Sequence, residues 1–185
     1  VVVEGYLDVI SMAEAGISSV VAPLGTALTQ SHLRRLDRYT DKIYCCFDGD
    51  TAGQKAAWRT LGIVLQTDLK NAQVYFIRLP DGHDPDSYVR EQGRAAFESL
   101  MQQAPAQSDY LFEQLFQPQQ TLDEKKKACE RALEMIKPVK AALYRDLLMN
   151  RLAEIMQIPA DKLNQTNRPV KNTDAKQQEP QRKIA

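Results

Sequence analysis

Lys42-Ile43-Tyr44-Cys45-Cys46-Phe47-Asp48-Gly49-Asp50-Thr51-Ala52-Gly53 runs from an apolar strand through an acidic turn into a helix. Residues 42–47 read as a strand. Residues 52–65 carry Ala56, Ala57, Leu61 and Val64 at helical spacing. Asp48 and Asp50 stand two apart at the strand end, so extended backbone aims both to one side. Gly49 and Gly53 leave room for a tight turn and for close approach of a ligand. Taken alone, the segment equally fits an Asp turn that caps the helix after it.

The same alternation recurs on both sides. Residues 1–3 form a β-branched run, a helical pattern over 8–15 follows, and Gly16 stands where a C′ glycine ends a helix. Residues 19–22 read as a second strand. Thr29 is placed to cap a helix over 30–39, with Leu33 and Leu36 on one face. Residues 73–79 give a further strand, and a helix begins at 86–92. This spacing predicts an α/β fold, a mostly parallel sheet flanked by helices on both faces. Ligands of such sheets bind at the carboxyl ends of the strands. Glu4, the Asp48/Asp50 pair and the turn Asp81-Gly82-His83-Asp84-Pro85-Asp86 each follow a strand, so three acidic groups fall on one sheet edge. Asp8 and Asp84 to Asp86 can each be read as helix caps. Together the groups repel, by about 4 kcal/mol per close pair at an effective dielectric near 20. A hard divalent cation relieves that cost and can stabilise charge on a phosphate.

From about residue 94 the pattern changes to helices over 95–103, 108–116, 122–136 and 140–157, punctuated by Pro105, Pro118, Pro138 and Pro159. We expect a first domain over 1–93, a helical subdomain over 94–166, and a disordered linker or tail over 167–185, which holds almost nothing apolar. The 24 basic and 24 acidic residues cancel, so no overall basic field marks a nucleic-acid partner. Residues 1–100 nevertheless hold 10 Lys/Arg against 13 Asp/Glu. Cys45, Cys46 and Cys129 form no CxxC pair and read as reduced core thiols. No apolar run approaches the ~20 residues that span a bilayer. The chain opens on Val-Val-Val inside a strand-like run and reads as a segment of a longer protein. Arg34, Arg35, Arg38 and Lys42 read either as a solvated face or as phosphate contacts. Lys55 and Arg59, i,i+4 on the helix after the acidic turn, face either solvent or a metal-bound triphosphate. Trp58 reads as core packing, and His83 as a chance loop residue.

Four strings carry a resemblance: Val3-Glu4-Gly5-Tyr6-Leu7-Asp8-Val9, Leu24-Gly25-Thr26-Ala27-Leu28-Thr29, Phe47-Asp48-Gly49-Asp50-Thr51-Ala52-Gly53 and Leu79-Pro80-Asp81-Gly82-His83-Asp84-Pro85-Asp86. In order and approximate spacing they resemble the bacterial replicative DNA primases. Those enzymes share the TOPRIM fold, marked by a Glu and a DxD, with topoisomerases, some nucleases and some repair proteins. The resemblance is strong to about residue 100, and to about 165 it rests on position and helical character.

The resemblance implies a TOPRIM domain over 1–93 and a metal-dependent nucleotidyltransferase, a DNA-directed RNA polymerase that makes RNA primers. It implies Glu4, Asp48 and Asp50 as catalytic residues. The implied metal set is Glu4, Asp8, Asp48, Asp50, Asp84 and Asp86, holding Mg2+ or Mn2+. Lys55, Arg59, Arg34 and Arg35 are the candidate nucleotide or nucleic-acid contacts. The implied partners are a single-stranded DNA template, nucleoside triphosphates, an RNA primer and a replicative helicase, the last through a C-terminal domain beyond the tail. The family's zinc-binding module and template-guiding subdomain have no counterpart here, so zinc is expected only elsewhere and little primer synthesis from this chain alone. A cytoplasmic monomer at the replication fork is expected. The alternatives are a TOPRIM nuclease or topoisomerase, and a non-catalytic interaction module.

Overall fold

The structure, a computed structural model, describes residues 1–23 and 25–166; the tail expected over 167–185 lies outside them. Two strands, β1 (Lys42–Cys46) and β2 (Gln73–Ile77), pair in parallel, Lys42 opposite Gln73 and Cys46 opposite Ile77. They are short and apolar, as strands covered on both faces must be. The sheet continues beyond them as bridges. Val2 pairs in parallel with both Cys45 and Val21, and Tyr75 pairs antiparallel with Ala106. The runs 1–3 and 19–22 therefore join the sheet but form single bridges rather than full strands. The strand expected over 73–79 closes at Ile77, opposite Cys46, where β1 also ends.

Helices connect these strands. α1 spans Tyr6–Glu14, α2 Gln30–Leu36, α3 Thr51–Gln66 and α4 Pro85–Gln103. α5 (Gln107–Leu115), α6 (Leu122–Ile136), α7 (Ala142–Met156) and α8 (Ala160–Thr166) follow. Thr29 caps α2 as expected, its hydroxyl accepting from the His32 N–H at 3.3 Å. α1 starts two residues before the expected position. Asp8 sits inside it rather than ahead of it, its carboxylate accepting from the Gly5 N–H at 3.0 Å.

Side-chain alternation in β1 divides the core. Cys45 joins Ile43, Val74 and Phe76 on one face, under Leu33 of α2 and Leu61 and Val64 of α3. Cys46 points the other way, with Ile77, Met12 of α1 and Tyr88 and Phe97 of α4. All three cysteines are buried and unbridged. Burial pushes the Cys45 thiol up to about 12, and it stays protonated.

The helices α5 to α8 extend the first face without a gap, since Leu111, Ala132, Ile136 and Leu152 belong to the same cluster as the strands. Phe76 of β2 stacks on Tyr110 of α5 with centroids 4.4 Å apart. The division expected at 93/94 falls inside α4, which bends at Gly93 (φ 79°) and continues. Phe97 and Leu100 beyond the bend pack with α1, and Arg94 donates to the Gly16 carbonyl at 3.0 Å.

One buried clamp had no sequence signal. Asp37, 8% exposed, accepts from the N–H groups of Lys70 (3.0 Å), Asn71 (2.9 Å) and Ala72 (2.7 Å), tying the end of α2 to the turn that enters β2. Burial pushes its carboxyl up, but the donors from Lys70, Ala72 and Asn71 outweigh that and hold it below its ordinary value. Asp37→Ala orphans these donors and is expected to cost about 3 kcal/mol, read as a lower melting temperature. A carboxylate held low in the fold gives stability that is full above its unfolded value and lost as pH falls through the folded one. The deficit of the variant therefore shrinks in strong acid by its charge-dependent part; a deficit of undiminished size there contradicts the charge-based account.

Candidate metal centre

The acidic residues sit where the parallel strands end. Glu4 follows the Val2 bridge. Asp48 follows β1, and Asp50 is the N-cap of α3, its Oδ1 accepting from the Gly53 N–H at 2.7 Å. After β2 the chain turns at Gly82 (φ 82°), and Asp84 caps α4 with Pro85 in the first helical turn. The two acidic loops are bonded to each other, the Gly49 N–H donating to the His83 carbonyl at 2.8 Å.

Two glycines make this approach feasible by lacking a side chain. A Cβ at Gly49 would overlap the Pro80 carbonyl, and one at Gly53 would overlap the Asp48 carbonyl. Neither has positive φ. The sequence reading credited them with a tight turn; what they supply is backbone-to-backbone contact that fixes Asp48.

The six predicted carboxylates are not equivalent. Asp8 accepts from Gly5, Asp50 from Gly53 and Asp84 from Ser87. Asp86 is gripped by Arg90, whose Nη2 lies 2.8 Å from each carboxylate oxygen. Among the described residues, Glu4 and Asp48 have no side-chain hydrogen bond or ion pair. Their environment is repulsive. Partial burial first, then Asp48, Asp8 and Asp50, raises the Glu4 carboxyl, although the residue as a whole is exposed; Arg59 offsets part of this. Burial, then Asp8, Asp84 and Asp50, raises Asp48. Burial raises Asp8, opposed by its bond from Gly5 and reinforced by Asp84 and Asp86. Asp84 goes the other way, held low by the Ser87 N–H and hydroxyl.

Among the described residues no three His, Cys, Asp or Glu side chains converge into a cage for a metal ion. Four members of the expected ligand set, Asp8, Asp50, Asp84 and Asp86, spend an oxygen or a charge on helix caps or on Arg90. What the donors fit is an open site, in which one or two free carboxylates hold a hard cation that keeps water in its other positions.

The predicted cations divide similarly. Arg59 lines a cleft of about 450 Å3 together with Glu4, Gly25, Thr26 and Phe47. Lys55 is exposed and in no ion pair. Arg34 donates to Gln30 of its own helix at 2.9 Å, and neither it nor Arg35 lines that cleft. Trp58 packs against the core beneath the Arg131 guanidinium, 5.2 Å from its ring centroid, as a packing residue would. His83, read as a chance loop residue, is part of the scaffold. Its carbonyl holds Gly49, and its ring meets Tyr88 edge-on at 5.6 Å.

Glu4 after the first bridged run of a parallel sheet, with Asp48-Gly49-Asp50 after β1, is the arrangement of a Toprim-type domain, and a family model described as Toprim-like matches residues 1–89. A second model, described as the DnaB-helicase binding domain of primase, matches residues 108–161. The DNA primase of Neisseria meningitidis serogroup A is 41% identical over 167 residues, 89% of this chain and 28% of that protein. A crystal structure of a DNA primase domain from Pseudomonas aeruginosa superposes with a TM-score of 0.80 at 40% identity, covering 89% of this chain and 53% of that one. A DnaG primase catalytic domain bound to single-stranded DNA superposes with a TM-score of 0.75 at 39% identity, covering 88% and 52%. The chain belongs to the bacterial DNA primase family and spans less than a third of the length of the curated relatives it matches. The sequence reading looked for a helicase contact beyond the chain; the helicase-binding family matches within it, on α5 to α7.

Proposed function

We propose that this chain supplies the metal-holding half of a primase active centre, which joins ribonucleotides on a single-stranded DNA template into RNA primers. The observation that carries this is the pair of unpartnered carboxylates, Glu4 and Asp48, set among like charges at the carboxyl edge of a parallel sheet. In this reading both would hold Mg2+, or Mn2+ in its place, beside the unspent carboxylate oxygens of Asp50, Asp84 and Asp8. Asp86 neutralises Arg90 instead. The ion, when bound, favours attack of a primer 3′-hydroxyl on the α-phosphate of a nucleoside triphosphate and offsets charge on the departing pyrophosphate. Arg59, at the cleft beside Glu4, receives phosphate oxygens, with Lys55 one turn away as a weaker contact. Arg34 and Arg35 act at most on distant template. The protein works as a cytoplasmic monomer, with a replicative helicase held by the helical part. No helix among the described residues is long and apolar enough to cross a membrane. The matched relatives are named DNA primase, which favours this reading over a nuclease or topoisomerase.

Cation binding is tested on the chain itself. With a dissociation constant near 1 mM, about 10 mM Mg2+ adds roughly 1.4 kcal/mol, a rise of about 3–5 °C in melting temperature at neutral pH. Glu4, Asp8 and Asp48 are held above the ordinary carboxylate range. Stability of the metal-free chain contributed by these three therefore declines as pH rises from the ordinary range through the raised values. The Mg2+ response grows over the same interval. A melting temperature indifferent to Mg2+ and Mn2+ would sink the metal reading.

A further inference from the structure

His83 stands between the two acidic loops, and each of its groups meets a different partner. Its N–H donates to the Pro80 carbonyl at 3.2 Å, closing the turn through Gly82. Its carbonyl accepts from the Gly49 N–H at 2.8 Å, and Gly49 is the residue between Asp48 and Asp50. Its imidazole lies edge-on to Tyr88 of α4, with ring centroids 5.6 Å apart. Tyr88 is itself buried, in the same cluster as Met12 of α1 and Phe97 of α4. Pro80, Asp81 and Gly82, which lead into His83, are exposed. The packing on that side of the His83 carbonyl therefore comes from the His83 ring, whose side chain is 23% exposed.

The ring holds its place by shape. Among the described residues its Nδ1 is buried with no hydrogen-bond partner, and the Glu91 carboxylate, 3.9 Å away, is beyond hydrogen-bond reach. A buried nitrogen left unpaired costs free energy and anchors nothing. The aromatic contact with Tyr88 is what remains to seat the side chain. We propose that His83 is a positioning residue of the metal centre: its imidazole, seated on Tyr88, holds the carbonyl that fixes Gly49, and through Gly49 it sets Asp48 beside Glu4. It orients a carboxylate and is not a ligand itself. The inference rests on the reading of Glu4 and Asp48 as the cation-holding pair and adds what keeps that pair in register.

The test titrates Mn2+ into the full chain and reads the free ion by electron paramagnetic resonance. Wild type, His83→Ala, His83→Phe and Glu91→Gln are compared below the lowest melting temperature of the set, with melting curves in EDTA alongside. His83→Ala keeps the carbonyl and removes the ring. It is expected to bind Mn2+ about tenfold more weakly, the effect of losing a group that orients a metal ligand. His83→Phe keeps an aromatic edge for Tyr88 and discards the unpaired nitrogen, so it should restore wild-type affinity and melt no lower than wild type in EDTA. Glu91→Gln should leave the affinity unchanged. A His83→Ala protein that melts lower in EDTA yet binds Mn2+ as the wild type does marks a merely structural residue and overturns the proposal. A His83→Phe protein as weak as His83→Ala, or a Glu91→Gln protein as weak, overturns the ring anchor, while the metal reading stands. A wild-type chain that binds no Mn2+ overturns the metal reading and this inference with it.

Discussion

Asp48→Asn, introduced into a primase core that contains this chain with the remainder of its catalytic domain, is expected to lower template-directed dinucleotide synthesis at least about a thousandfold. A metal-held transition state is worth several kcal/mol, and each 1.36 kcal/mol is about a factor of ten. The same substitution should move stability the other way. Asp48 is raised by partial burial and by Asp8, Asp84 and Asp50, and no donor compensates it. Removing its charge relieves that repulsion. After discounting for solvent screening the gain is about 0.5–1 kcal/mol, or roughly 2 °C in melting temperature in EDTA. The Mg2+-dependent rise should vanish. Asp86→Asn is the contrast: its carboxylate is occupied by Arg90 at 2.8 Å, an exposed i,i+4 pair worth about 0.3–0.5 kcal/mol. Its loss should slightly weaken α4 and leave the Mg2+ response in place. Full activity of Asp48→Asn, or a melting temperature that falls in EDTA, contradicts the assignment.

The sequence made the frame of this site legible because its signals are local. A Thr before an apolar period, an Asp before a Pro and a short apolar run before an acidic turn each act within one turn of chain. Thr29, Asp84 and β1 stand accordingly where the pattern puts them. α6 spans Leu122–Ile136, the residues its periodicity marks. The opposed directions of Cys45 and Cys46 follow from the strand period alone. What stayed hidden depends on partners far along the chain. The acidic site is the exception: Asp8, Asp50, Asp84 and Asp86 are engaged by donors three or four residues away, so its cap signals were local, and what the pattern did not show is that Glu4 and Asp48 lie close enough to repel. Asp37 looks like any charged residue after a helix until residues 70–72 arrive beside it. The continuity of packing across residues 93 and 94 was hidden for a similar reason. Gly93 ends a helical pattern locally, but Phe97 and Arg94 carry the chain back onto α1. The apolar stripes of the later helices told of burial without telling that the burial is against the same sheet face as α3.

Gly53→Ala should be strongly damaging, for a reason that a helix propensity scale would get backwards. Gly53 lies in the first turn of α3, where alanine ordinarily stabilises by up to about 1 kcal/mol. Here the added methyl overlaps the Asp48 carbonyl, a backbone atom that cannot rotate away. The Asp48 loop must move, and it is bound on its far side, since the Gly49 N–H is held by the His83 carbonyl and the Gly49 Cα abuts Pro80. Displacing it strains both acidic loops together and pulls the Gly53 N–H off Asp50, the cap of α3. Overpacking costs about 1–3 kcal/mol and a lost cap adds about 1 kcal/mol, so a total near 3 kcal/mol is expected, some 6–12 °C in melting temperature. Gly62, in the same helix, is the control. Its added Cβ would meet only the flexible end of Met135, at 3.7 Å, and Gly62→Ala should be neutral or stabilising. The Gly53 variant should also lose the Mg2+ response at temperatures where it remains folded, because Asp48 no longer stands beside Glu4. A Gly53→Ala protein that melts with the wild type and still responds to Mg2+ would show that the two acidic loops are not locked to each other through Asp48.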